Sequence, residues 1–256
     1  MFIRQKDFDP EKIAHSGQCF RMAAEDGGFR VRALGRCARL SPCPGGYMLD
    51  CPGEDEPLWR RYFDLDSDYG AFLPDPGDEY LCRAYDLARG VRILRQDPFE
   101  ALITFIISQR KNIPAIRMCV EKLCGELGEE GNFPTPGAIA ACSEERLRDM
   151  SLGYRAPYVL GTARMVNEGE LDLEACGALD DQALEQALCR APGVGVKVAK
   201  CVMLFAYHRL DAFPVDVWID RTLREKYPQG FDMERYRGYA GVMQQYLFFA
   251  AKKGCL

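Results

Sequence analysis

APGVGVKVAKCVMLFAYHRLDAFPVDVWIDR, residues 191–221, opens with a tight turn, Pro192-Gly193-Val194-Gly195, that runs straight into an apolar-periodic helix. Two glycines a residue apart can take positive φ and let a partner approach the backbone closely. The helix start behind them leaves N–H groups unpaired, among them that of Val196. Such a turn suits an anion, and between two helices the natural anion is a phosphate. Lys197 stands in the first turn, where its charge faces the positive end of the helix dipole at a cost of a few tenths of a kcal/mol. That placement fits a nucleophile better than a solvated surface lysine. Cys201, four residues on, shares the face of Lys197. After Phe213-Pro214 comes an aspartate in an apolar frame, Val215-Asp216-Val217. Each feature has a plainer reading. Gly-x-Gly also serves as a structural turn, and Asp216 also fits the N-cap of a helix beginning at Val217. The cap and a chemical role are compatible.

Outward from this stretch the chain shows two regimes. Residues 1–92 carry short segments such as Phe29-Val31-Ala33 and Tyr47-Met48-Leu49, separated by Gly and Pro, which read as a small antiparallel sheet. A helix is predicted near 78–89. From Asp97 onward the pattern is helical, with Pro98 opening a buried helix over 99–107. Further helices are predicted near 113–127, 136–141, 143–150, 155–168, 180–189, 196–208, 216–226 and 233–251. Sheet first and helices afterwards indicates an α+β fold: an N-terminal antiparallel β domain (1–92) and a helical domain (93–256) with a helix-hairpin-helix at about 184–208.

Composition narrows the class. The chain has 256 residues, 48% of them hydrophobic, enough for one large core or two smaller ones. No run of apolar residues is long enough for a membrane span, and MFIRQKDFDPEK lacks the apolar core of a signal peptide. An intracellular, cytoplasmic location is expected, associated with the nucleoid in a prokaryote. Twelve cysteines form no CxxC, and His15 and His208 are the two histidines, so no metal and no cofactor are expected. Most of the cysteines read as small buried hydrophobes. A net charge of −5 and a pI near 5.3 count mildly against a nucleic-acid partner. The sign of a patch matters more than that of the chain. Arg110, Lys111, Arg117, Arg155, Arg164, Lys197 and Lys200 fall in or near the motif segments, which predicts a basic face with salt-sensitive binding.

GVGVKVAKC followed by FPVDVW resembles the helix-hairpin-helix and catalytic loop of the 8-oxoguanine DNA glycosylases. The likeness extends along the chain. Gly17-Gln18-Cys19-Phe20-Arg21, Leu94-Arg95-Gln96-Asp97-Pro98, Leu152-Gly153-Tyr154-Arg155-Ala156 and Tyr239-Ala240-Gly241 are similar to family segments in the same order. The resemblance implies a small sheet domain packed on two helical subdomains, with the active site in the cleft between them. It implies no cofactor, a partner of double-stranded DNA containing 8-oxoguanine, and action as a monomer. The iron–sulfur loop of the endonuclease III-like relatives has no counterpart here. By resemblance Lys197 attacks the sugar C1′ and Asp216 steadies the positive charge. Gly17, Cys201, Gln244 and Phe248 form the base pocket. Gly193, Gly195, Val196, Arg110, Asn112, Tyr154 and Arg155 hold the DNA.

One segment departs from the family. Its run of three asparagines falls on Arg110-Lys111-Asn112, and an arginine that reads the opposite cytosine falls on Ala115. Arg155 keeps the second cytosine-reading arginine and Tyr154 the wedge. A weakened preference for cytosine follows. Two other classes stay open at this point: a glycosylase for another damaged base that uses Asp216 with water, and a non-catalytic module that uses the hairpin for phosphates alone. The second would keep Gly193 and Gly195 without needing Gly17, Lys197, Asp216 and Gln244 together.

Overall fold

Three short turns fold the first fifty residues into a sheet. Asp26-Gly27 and Leu34-Gly35 each hold left-handed backbone at both positions (φ 46° and 75°, then 53° and 70°). This is the twist that fits a two-residue hairpin between antiparallel strands. Gly45 makes the third turn at φ 79°. In the computed structural model, which describes residues 1–4 and 6–254, the strands are β1 (Phe2–Arg4), β2 (Met22–Glu25), β3 (Gly28–Ala33), β4 (Arg36–Cys43) and β5 (Gly46–Asp50). Their order is β1-β5-β4-β3-β2. Met22 faces Val31 and Leu40 faces Leu49 in antiparallel register, and all four side chains are buried. The expected sheet is present.

The helices along the chain are α1 (Pro10–His15), α2 (Glu56–Tyr62), α3 (Glu79–Ala88), α4 (Pro98–Ser108), α5 (Ile113–Leu127), α6 (Pro136–Ala140), α7 (Glu144–Leu147), α8 (Ala156–Asn167), α9 (Leu173–Cys176), α10 (Asp181–Cys189), α11 (Val196–Phe205), α12 (Val217–Lys226) and α13 (Ala240–Lys253). Side-chain caps start many of them: Asp9, Asp78, Asp97, Asn112, Thr135, Ser143, Asp180 and Asp216 each accept from a backbone N–H of the first turn. A cap of this kind stabilises its helix by about 1 kcal/mol.

Differences from the sequence expectation have local causes. Helices α1, α2 and α9 are short elements that the sequence analysis did not place. Helix α11 ends at Phe205 and not at 208, because His208 turns to φ 54°. The segment 233–239 is a 3₁₀ turn followed by Gly238 at φ 91°, so α13 begins only at Ala240. After α7 a π-turn (Arg148–Leu152) carries Ser151 at φ 67°.

The chain divides into two compact units, one of residues 1–31, 38–95 and 208–256 and the other of residues 32–37 and 96–207. In the first, Phe63 meets Phe8 edge-on at 5.4 Å, Tyr62 at 5.0 Å, and Trp59 stacked at 6.0 Å. Helix α13, buried along most of its length, packs on α3 and α12. Beside this core lies a polar knot. The buried Arg92 guanidinium donates to the backbone oxygens of Asp7, Phe63, Asp64 and Ser67. Asp64, 4% exposed, accepts from Arg95 at 3.0 Å and from the Tyr69 hydroxyl at 3.1 Å. Its Oδ2 lies 3.1 Å from His208 Nε2, close enough for an ionic contact but off the line of a hydrogen bond. Burial pushes the Asp64 carboxyl up, yet His208, Ser67 and Arg95 together hold it below its ordinary value.

A depressed carboxyl contributes stability above its unfolded pKa of about 3.9 and loses it as pH falls through the folded value. Asp64→Asn is therefore expected to cost about 3 kcal/mol at neutral pH, the order for breaking a buried pair. Its deficit against wild type should shrink below about pH 4. Denaturant melts at pH 7 and pH 3 check this, and a deficit that stays constant between them contradicts it.

In the second unit the central element is α4. Phe99 and residues 101–107 are buried, with Glu100 half-buried between them, and it packs against α5, α8 and α11. Asp97 caps it through Glu100 N–H at 2.8 Å, with Pro98 in its first turn. Phe105 of α4 stacks on Phe205 of α11 at 5.5 Å, which sets the helix that carries Lys197.

Candidate active site and nucleic-acid interface

The turn before α11 is built as a close approach. Gly193 sits at φ 75°, and a Cβ there would come within 2.6 Å of the Tyr158 ring. Gly195 differs from the sequence expectation: at φ −103° and ψ 178° it is extended and forms the N-cap of α11. A Cβ on Gly195 would meet nothing within 4 Å. Gly193 is thus glycine for its own unit's packing, and Gly195 is an exposed, open surface beside the first N–H groups of α11, which no side chain caps among the described residues. Gly193→Ala should lower stability by roughly 1–2 kcal/mol through left-handed strain and the Tyr158 clash. Gly195→Ala should leave the melting temperature within a degree or so; on the expectation from the sequence that this turn holds a DNA phosphate, it should weaken DNA binding, because its methyl covers the amide surface. Paired thermal melts and binding isotherms check the contrast, and equal melting losses for both contradict it.

Lys197 projects from the first turn of α11, half-buried. Its Nζ lies 5.6 Å from the centre of the Phe105 ring, and among the described residues no carboxylate and no hydrogen-bond acceptor engages it. Cys201, one turn on, is buried. The same unit gathers the other predicted DNA contacts. Gln109, at the end of α4, donates from Nε2 to the Gly193 carbonyl at 3.0 Å, and its own carbonyl accepts from Arg155 Nε at 2.9 Å. Lys111 Nζ reaches the Ser151 carbonyl at 3.2 Å. The hairpin, the α4–α5 turn and the segment 148–155 are therefore fastened together.

On this surface Arg110 is exposed at φ 52°. Asn112 caps α5 through Ala115 N–H at 2.9 Å. Tyr154 is 46% exposed, with the Arg155 guanidinium 4.3 Å from its ring centre. Arg155 itself is buried, its guanidinium given to the carbonyls of Gln109 and Leu152. Ala115 is half-buried and supplies no donor.

The first unit holds the remaining residues. Asp216 caps α12: its Oδ1 accepts from Trp218 N–H at 3.0 Å and Ile219 N–H at 2.9 Å. Its second oxygen has no partner among the described residues. Gln244, buried on α13, donates to the Pro214 carbonyl at 2.8 Å and accepts from Gln245 at 3.0 Å. It thereby fastens the loop that carries Asp216. Phe248 is half-exposed, with Lys252 Nζ 5.8 Å from its ring centre. Gly17 turns at φ 77°, and the neighbouring Gln18 anchors it. Gln18 donates to Ser16 Oγ and the Arg92 carbonyl and accepts from Leu94 N–H.

Three supports escaped the sequence reading: Gln18, Gln109 and Arg92. The signal for the first two was an amide side chain inside a segment that the resemblance had already singled out. Arg92 lay in no quoted motif.

Residues 1–102 match the family described as 8-oxoguanine DNA glycosylase, N-terminal domain, and residues 103–229 match the HhH-GPD superfamily base excision DNA repair protein. A probable N-glycosylase/DNA lyase of Methanothermobacter thermautotrophicus is 29% identical, over 100% of this chain and 97% of its own length. Among solved structures, MBOgg1 in complex with a low affinity DNA ligand superposes with a TM-score of 0.92 at 31% identity, covering 100% of this chain and 96% of that one. The 8-oxoguanine glycosylase/lyase of Clostridium acetobutylicum, in complex with double-stranded DNA containing cytosine opposite 8-oxoguanine, gives 0.91 at 30% identity, covering 100% and 99%. Among the described residues, no helix is long and apolar enough to cross a membrane.

Proposed function

The chain belongs to the 8-oxoguanine DNA glycosylases of the helix-hairpin-helix base-excision superfamily, and from that premise we propose that it excises 8-oxoguanine through Lys197 and nicks the strand by β-elimination. The observation that carries the proposal is a pair of uncommitted groups on motif residues. Among the described residues Lys197 Nζ has no acceptor, and Asp216 presents one carboxylate oxygen without a partner while the other caps α12.

The chemistry follows from these two groups. The amine of Lys197, after giving its proton to solvent, forms a bond to C1′ as the bond from C1′ to the base breaks, and the base leaves with the electron pair and takes up a proton. The transition state carries positive charge on the sugar, which the fixed carboxylate of Asp216 stabilises. The nitrogen then loses a proton and its lone pair expels O4′, which takes up a proton as the C1′–O4′ bond breaks; this ring opening leaves an iminium at C1′. That iminium acidifies the C2′ proton, and its loss expels the 3′ oxygen, cutting the strand. Hydrolysis of the remaining imine frees Lys197.

The target base must leave the stack to be reached. Gly17 offers its carbonyl to the N7–H of 8-oxoguanine, a donor that guanine lacks. A guanine there would leave the carbonyl facing a lone pair, which discriminates strongly. Gln244 reads the Watson–Crick edge with the hydrogen and lone pair left over from its bonds to Pro214 and Gln245. Phe248 and Cys201 cover the faces of the purine. Gly193, Gly195 and Val196 hold a phosphate, Tyr154 is the wedge, and Arg110 and Asn112 line the strand.

Opposite-base choice is loose in this scheme. Ala115 offers no donor, and Arg155 is already bonded to two backbone carbonyls. Cleavage of 8-oxoguanine duplexes should therefore proceed opposite all four bases, with rates within about tenfold of one another. Single-turnover assays on four duplexes, with borohydride present in a parallel set to trap the imine, test both halves. Strict dependence on cytosine overturns the specificity reading, and cleavage without a trapped adduct overturns the lysine mechanism.

A further inference from the structure

Three of the ten exposed large apolar side chains of the described residues fall on four consecutive positions: Val215 at 40%, Val217 at 78% and Trp218 at 40%. The fourth position is Asp216. Trp218 is the unusual member. The chain has two tryptophans. Trp59 is fully buried, packed on Tyr62 and Phe63. The Trp218 indole makes no ring stack and no cation contact among the described residues.

Its backbone is fixed, however, because its own N–H donates to Asp216 Oδ1 at 3.0 Å. The first turn of α12 thus presents a large flat ring two residues beyond the carboxylate, on a stem held by the carboxylate itself. Arg221 stands one turn further along the same face, exposed and paired with Glu225. An exposed aromatic with a cation one turn away suits an unstacked nucleobase with its phosphate, since every base has a π-face and stacking tolerates sequence.

We propose that Trp218 is a positioning residue: its indole stacks on a base of the damaged strand next to the nucleotide excised, and so holds the strand while Asp216 faces the sugar. This rests on the glycosylase reading above. Extruding one nucleotide leaves its neighbours without a stacking partner, and Trp218 supplies a replacement surface. The apolar flanks Val215 and Val217 lose water at the same time, which strengthens the field of Asp216 at the sugar.

The tryptophan count makes the test direct. Undamaged single-stranded DNA added to the full-length protein should quench the solvent-exposed emission of Trp218 and leave the buried Trp59 emission unchanged. In Trp218→Phe that quench should vanish. In single-lesion duplexes, Trp218→Ala should raise KM about tenfold and change kcat less than twofold, and Trp218→Phe should restore most of the loss, as one stacked base predicts. Replacing the base that flanks the lesion with an abasic analogue should erase the difference between wild type and Trp218→Ala.

Quenching absent from the wild type, or an unchanged KM in Trp218→Ala, overturns the proposal. So does a Trp218→Ala penalty that persists on the abasic-flanked duplex. The quench does not depend on chemistry. Quenching without cleavage or trapping by the wild type therefore sinks the glycosylase reading and leaves the stacking surface standing, whereas cleavage without quenching does the reverse.

Discussion

Lys197→Gln is expected to lose at least roughly 10³-fold in single-turnover strand nicking, with no borohydride-trapped adduct, while folding as wild type does. Glutamine keeps much of the length and a hydrogen-bond donor but has no nucleophilic amine. The structural cost is small because Nζ makes no ion pair or hydrogen bond among the described residues, and its contact with the Phe105 ring at 5.6 Å is worth about 0.5–1 kcal/mol. DNA binding should weaken only by the loss of one positive charge, seen as a salt dependence reduced by about one unit in slope. Melting temperature, binding isotherm and nicking rate separate the three effects. A variant that still nicks within tenfold of wild type contradicts the assignment.

The second large effect divides the two jobs of Asp216. Asparagine is as good an N-cap as aspartate, so Asp216→Asn should keep the bonds from Trp218 and Ile219 and melt with wild type. It removes the negative charge, and kcat should fall about 10²–10³-fold, the order found when one electrostatic stabiliser is lost. Asp216→Ala should show a similar kinetic loss together with about 1 kcal/mol of lost stability, a drop of roughly 2–4 °C in a protein of this size. Equal melting losses for both variants would mean that the charge, and not the cap geometry, holds α12. A full-rate Asp216→Asn would remove the carboxylate from the chemistry.

What the sequence discloses is mostly local. The glycine turn before α11, the lysine in its first turn and the cap at Asp216 depend on residues within four positions of one another, and each was legible. Helices with full apolar periods, such as α5 and α10, were placed to within a residue or so at each end. Longer-range bonds were not legible. Gln244 meets Pro214 across 30 positions, Gln18 meets Leu94 across 76, and Gln109 meets Gly193 across 84. Nothing in their neighbourhoods marks which partner each amide will take.

Arg155 illustrates the same limit. Its place in the motif was clear, but which carbonyls its guanidinium would find depended on where Gln109 and Leu152 came to rest. Gly195 shows a different one. A glycine can be chosen for open space and not for left-handed backbone, and a string of letters does not separate the two. Short helices such as α9 gave no period to detect.

The most direct test of the lysine mechanism is to reduce the reaction mixture with borohydride and map the adduct by mass spectrometry. A deoxyribose remnant is expected on the peptide that contains Lys197 and on no other. An adduct on a different amine, or complete base release with no adduct at all, would contradict it.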